Sequence, residues 1–103
     1  MTLTGTLKVK ELDRYRAHGN QSKPARKLVE SIEREGVKEG VAIITDGTYA
    51  LLLDGHQRLN CAHLLGLKEL PVQVVTGADM RRRSVRCPVL PGLAELLKEE
   101  GDK

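Results

Sequence analysis

The chain has 103 residues, 40% of them hydrophobic, with two Tyr and neither Phe nor Trp. That limits it to one small domain with an aliphatic core and disfavours recognition through stacked aromatic side chains. A net charge of +3 permits an anionic partner without demanding one, and no apolar run nears the roughly 20 residues of a membrane span.

Leu7-Lys8-Val9-Lys10 alternates apolar and polar residues and predicts a short strand. Residues 11–25, ELDRYRAHGNQSKPA, have no clean period and predict a loop with a helical turn around Leu12–Tyr15. Ser22 suits an N-cap and Pro24 a first helical turn. Leu28, Val29 and Ile32 then share one stripe, Lys27, Glu30, Glu33 and Arg34 cover the other side, and Gly36 closes a helix expected over 23–35. Val41–Thr45 is apolar and β-branched; Asp46-Gly47 predicts a two-residue hairpin turn, with Thr48–Leu53 returning. Leu51-Leu52-Leu53 reads as a strand buried on both faces. From His56 the spacing turns helical through Leu59, Ala62, His63 and Leu65 until Gly66. Leu70–Val75 predicts another strand, with Pro71 near its start where proline is tolerated. GADMRRRSVRC, residues 77–87, predicts a short helix running into a loop, and Leu93–Glu99 an amphipathic helix with Leu93, Leu96 and Leu97 on one side. The order predicts an α+β fold, a small mixed sheet of four to five strands with helices packed on it. A domain over 1–80 would be followed by a tail, 81–103, holding a basic segment and the last helix.

Cys61 and Cys87 lack metal-ligand spacing. Cys61 falls in the helical apolar pattern and reads as a small buried hydrophobe, while a Cys61–Cys87 disulfide stays open. MTLTGTLKVK at the start has no signal-peptide apolar region, so a cytoplasmic location is expected. Arg81, Arg82, Arg83 and Arg86 form the densest cationic cluster and are the candidate nucleic-acid contacts.

The chemistry concentrates at Asp54-Gly55-His56-Gln57-Arg58, where a strand hands over to a helix. A helix N-terminus presents unpaired backbone N–H groups and a positive dipole end, both of which favour an anion. Gly55 would let the backbone approach it, and Arg58 could fork onto phosphate oxygens. His56 could donate to phosphate or move a proton. Asp54 could cap the helix, hold a metal or act as a base. An ordinary capped turn, with Arg58 paired to a nearby carboxylate, explains the same residues equally well.

From about Asn20 to Val75 the sequence resembles the ParB/sulfiredoxin superfamily. The resemblance rests on Ile32 to Gly36, on Gly55 and Arg58 in the loop, and on Leu65-Gly66-Leu67-Lys68-Glu69-Leu70-Pro71-Val72. Partition ParB proteins carry Gly-Glu-Arg-Arg in that loop, so His56 and Gln57 depart from them. Sulfiredoxins carry Gly-Gly-Cys-His-Arg, and their Cys falls on His56, so their sulfinic-acid reduction is not implied. Free serine kinases of the superfamily carry an Asp-Gly-His-x-Arg loop, which is similar to the one here. The resemblance implies that Gly55, His56, Gln57 and Arg58 hold nucleotide phosphates. NQSKPAR implies Asn20, Gln21, Lys23 and Arg26 as further contacts, with helix capping as the plain alternative.

Three functions follow. The first is a stripped-down ParB-like module that binds CTP or ATP with Mg²⁺ and associates with DNA. The chain has no room for the helix-turn-helix and dimerisation domains of partition ParB. The second is a small phosphotransferase or NTPase with Asp54 and His56 catalytic. The acid that resembling kinases place upstream is missing between Asp13 and Glu30, and no carboxylate cluster suggests a nuclease. The third is an interaction or scaffold protein with a degenerate site, whose tail helix, Leu93–Leu97, docks a partner or a second copy as a homodimer.

Overall fold

The computed structural model describes residues 2–16, 25–37, 40–83 and 86–101. One five-stranded sheet carries the fold, in the order β1-β4-β2-β3-β5. Its strands are β1 (Thr2–Lys8), β2 (Val41–Thr45), β3 (Tyr49–Asp54), β4 (Glu69–Thr76) and β5 (Cys87–Pro88). Neighbours β2 and β4 run parallel, and the other pairs antiparallel. The helices are α1 (Val9–Arg14), α2 (Arg26–Glu35), α3 (His56–Leu65) and α4 (Pro91–Gly101). The fold is therefore α+β, with a mixed sheet, as the order of elements predicts.

Alternation along each strand divides the sheet into two faces. Leu3, Leu7, Val41, Ile43, Ala50, Leu52, Leu70, Val72 and Val74 form one buried cluster with Val9 and Leu12 of α1, Leu59 and Ala62 of α3, and Leu93 of α4. Each such aliphatic side chain, removed from water, contributes about 1.5–3 kcal/mol before the entropy of ordering it is counted. α2 packs chiefly on α3, and its Ile32 is its buried residue. The opposite face carries a smaller cluster of Ile44, Leu51 and Met80. Met80 comes from the segment after β4, so that segment covers half of the helix-free face.

Several local expectations shift. The first strand is Thr2–Lys8, and Val9 and Lys10 open α1 instead of continuing it. α2 begins at Arg26 with Ala25 as its N-cap; Ser22 and Pro24, expected to start it, lie outside the described residues. The hairpin loop has three residues rather than two, because Asp46 Oδ1 accepts the N–H groups of both Thr48 and Tyr49, and β3 starts only at Tyr49. Those donors hold the Asp46 carboxyl below its usual range. Leu51 and Leu52 are buried, but Leu53 is 53% exposed, since no described residue covers the helix-free face at its position. The described residues of 77–87 contain a turn and no helix.

The tail is built into the same core. β5 pairs with β3 through Tyr49–Pro88 and Ala50–Cys87. The Glu11 carboxylate accepts the N–H of Gly92 at 2.8 Å and that of Leu93 at 2.7 Å, at the N-terminus of α4. Tyr15 donates its hydroxyl to Glu11 Oε2 and accepts the Leu90 N–H. Burial of Tyr15 pushes its phenol well above the ordinary value. Among the described residues, no helix is long and apolar enough to cross a membrane.

Candidate functional site

β3 ends at Asp54, and α3 starts at His56, so the turn between them is a single residue, Gly55. Its φ of 99° lies in the left-handed region that favours glycine. A Cβ there would lie 2.7–2.9 Å from Val41, so the absence of a side chain also lets the corner close on β2. Gly55 is itself the N-cap and supplies no side chain to the first turn. Asp54 does not take that role: its Oδ1 accepts the Gly55 N–H at 2.8 Å, one residue short of the helix. Leu59 N–H returns to the Gly55 carbonyl and begins the helical ladder. The first turn of a ten-residue helix thus opens without a side-chain cap.

Behind this turn lies a residue that sequence reasoning missed. Arg16 follows α1, and its side chain is only 9% exposed. Its Nη2 donates to the His56 carbonyl at 3.0 Å and to Asn60 Oδ1. Its Nε and the Nδ1 of His56 are both buried, with no hydrogen-bond partner among the described residues. The Asp13 carboxylate stands 4.0 Å from Arg16 and also 2.8 Å from His63 Nε2, so one acid serves two bases. A buried guanidinium with neutral close partners and a shared, distant carboxylate leaves positive charge under-neutralised beside a helix N-terminus. The anchor that places Arg16 is visible in its neighbour: the Tyr15 carbonyl accepts the Leu52 N–H at 2.8 Å, fixing the chain against β3.

The predicted residues are brought together unevenly. Gly55, His56, Gln57 and Arg58 occupy the corner and first turn. Arg58, half-buried, and Asp54 also line a shallow groove on the helix-free face. No hydrogen bond joins Asp54 to His56 among the described residues, so the two are not arranged as one proton relay. Arg26 is 92% exposed and pairs with Glu30 at 3.1 Å, next to α2's start. Asn20, Gln21 and Lys23 lie outside the described residues, as does His18. Among the described residues no group of three His, Cys, Asp or Glu side chains gathers to hold a metal. Cys61, fully buried, and Cys87, half-buried, are both free thiols.

The arginine run stands apart from the corner. Asp54 pairs with Ala42 near the start of β2, whereas Thr76 pairs with Thr45 at its end, just before the segment that carries the arginines. The three intervening steps span roughly 10 Å. Arg81 pairs with Asp79 at 3.2 Å. Arg86 lies over the Tyr49 ring, 4.6 Å from its centroid, and donates to the Arg81 and Arg83 carbonyls. Arg82 and Arg83 are exposed.

No family model matches the chain, and no curated protein does. Among solved structures, the C2221 form of a Pnob8-like ParB-N domain is similar to it, with a TM-score of 0.61 and 15% sequence identity. The match covers 81% of this chain and 33% of that one, so the chain spans about a third of its structural relative. The five-stranded mixed sheet, the glycine corner between β3 and α3 and this superposition together give the chain a ParB-like fold.

Proposed function

We propose that this chain is a ParB-like module that binds the phosphates of a nucleotide at the N-terminus of α3, through Gly55, His56, Gln57 and Arg58, and associates with DNA. The observation that carries the reading is Arg16, a nine-tenths buried cation with an unpartnered Nε beside an uncapped helix start. A phosphate placed there would meet the first-turn N–H groups, the dipole and the guanidinium of Arg58 together, and such charge-assisted contacts are the strong ones. Mg²⁺ bound with the nucleotide would offset the phosphate charge, and Asp54 would be the carboxylate at hand to hold it.

Asn20, Gln21, Lys23 and Arg26 belong to the same proposal as contacts from the segment leading into α2. DNA association is carried by Arg82 and Arg83, which offer exposed charge to a phosphate backbone. Arg81 and Arg86 contribute less, since each already has protein partners.

The test is calorimetric titration of CTP, ATP, ADP and GTP with Mg²⁺ against the wild type and Arg58→Ala. Removal of a charge-assisted phosphate contact should cost about 1.5–3 kcal/mol of binding. Absence of binding by all four nucleotides would remove the nucleotide reading.

A further inference from the structure

The two edges of the sheet are finished differently. β5 closes one with two residues, the second of them a proline. β1 forms the other, and among the described residues β4 is its one neighbouring strand. It runs for seven residues in unbroken register, with no proline, no bulge and no charge before Lys8 at its end. Folded proteins blunt a free edge by such devices, because unpaired N–H and C=O groups otherwise template a further strand. Two contacts show which groups are unpaired. The Val9 N–H donates to the Lys68 carbonyl at 2.8 Å, so the odd-numbered residues turn their backbone towards β4. Pro71, opposite Thr6, points its carbonyl away from β1: a Cβ on Gly40, at the entry to β2, would fall 1.8 Å from that oxygen. The backbone alternates along an antiparallel strand, so Thr2, Thr4 and Thr6 direct their N–H and C=O groups outward. All three side chains are exposed, in one row on the helix-free face.

α4 lies along this edge on the other face. Its first turn is held by Glu11, just past the end of β1, and its Leu96 is the side chain that a Cβ on Gly5 would meet. The helix therefore runs antiparallel to the strand, and Glu99, about one turn beyond Leu96, lies towards Thr2. Leu96 and Leu97 are half-buried. Lys8 and Lys10 are exposed at one end of the edge and Glu99 at the other, and none of the three forms an ion pair among the described residues. The edge is thus cationic at one end and anionic at the other, so an antiparallel copy of it brings unlike ends together.

We propose that β1 is a docking edge for β1 of a second copy of this chain, paired antiparallel about a two-fold axis at Gly5. That axis sets Thr4 opposite the partner's Thr6 and Thr2 opposite the partner's Lys8, so no two lysines oppose. These are the pairs that exchange backbone hydrogen bonds, and threonines facing each other across strands add side-chain contact. Gly5 meets the partner's Gly5 in the closer, non-hydrogen-bonded kind of pair, and the half-buried Leu96 beside it gains apolar cover. The surface is self-complementary, as a closed dimer requires. One sheet then spans both copies and ends at the short, proline-bearing β5 on either side, so the pairing stops at two. It needs no nucleotide and stands apart from the site at α3.

The experiment is sedimentation velocity without nucleotide, from micromolar to submillimolar chain, beside residue-resolved amide hydrogen exchange at both ends of that range. The expected result is a monomer that becomes a dimer as concentration rises, while exchange at the Thr4 and Thr6 amides slows by about tenfold or more. Thr6→Pro removes one outward N–H and leaves the bonds to β4 in place, so it should stay folded by circular dichroism and stay monomeric. The exchange measurement on the wild type decides the matter by itself if that variant fails to fold. A wild type monomeric at every concentration overturns the proposal. So does a dimer whose Thr4 and Thr6 amides exchange as fast as in the monomer, or one that a folded Thr6→Pro leaves intact, since either would be held through α4 or another surface.

Discussion

At Gly55 two constraints act on one residue. Its φ of 99° is costly for any side chain, and a Cβ would also press on Val41 Cγ1 at 2.7 Å. Gly66 isolates the first constraint, because it too is left-handed, with a φ of 71°, but a Cβ there meets nothing within 4 Å. Gly66→Ala should therefore cost about 1–2 kcal/mol from backbone strain alone. Gly55→Ala should cost more, because β2 must also give way, and urea denaturation of the two variants checks the order. Arg16 invites a different comparison. Its buried guanidinium tethers α1 to α3 through the His56 carbonyl and Asn60. Removal of one partner of a buried charged contact is destabilising, because the groups left behind lose their partner. Arg16→Met should thus lower stability, since the His56 carbonyl and Asn60 Oδ1 lose a donor, and nucleotide affinity should fall by about tenfold or more as well. An Arg16 that served only as a tether would give lower stability with unchanged affinity.

Glu11, Tyr15 and the start of α4 form the hinge between elements. The Glu11 carboxylate takes two N–H groups from the first turn of α4 and the hydroxyl of Tyr15, while Gly92 leaves the room this needs: a Cβ there would lie 2.6 Å from Glu11 Oε1. Tyr15 is 1% exposed, and its ionisation is pushed up chiefly by that burial. A group with a raised folded pKa stabilises below its unfolded value and loses that contribution as pH climbs. The Tyr15 contribution to stability should accordingly be flat below pH ~10, the ordinary phenol value, and fall above it, with the Tyr15 phenolate band appearing only as the protein unfolds. Tyr15→Phe should be less stable at neutral pH and lack that alkaline decline; denaturant titrations across the range measure both. Elements governed by local pattern were legible in the sequence: β2 over Val41–Thr45, the change of period at His56 and the closing Gly66. β1 was not, because Gly5 interrupts the inward row of Leu3 and Leu7. Its reason is distant: a Cβ on Gly5 would come 2.6 Å from Leu96 of α4. Arg16 was hidden for the same kind of reason, since its partner His56 is 40 residues away and no local spacing links them. The corner itself was legible because a strand end, a glycine and a helix start are neighbours in sequence, yet the groove beyond it depends on register across four strands.

Across the whole molecule, positive charge is divided between two places at opposite ends of the sheet. The corner holds Arg16 and Arg58, the first of them buried, while Arg82 and Arg83 stand exposed beyond β4. A net charge of +3 is too small to bind nucleic acid by bulk attraction alone, so any such binding must come from the local run. Exposed arginines on duplex phosphates release counterions, and each contact adds about 0.9 to the slope of log K against log salt. Arg82→Ala and Arg83→Ala should each lower that slope by close to this amount and weaken binding about equally for unrelated DNA sequences. Arg58→Ala should leave the slope unchanged while weakening nucleotide binding, because its charge serves the corner. Fluorescence anisotropy with a labelled duplex at several salt concentrations separates the two. If Arg58→Ala lowered the slope as much as Arg82→Ala does, corner and arginine run would form one continuous phosphate track.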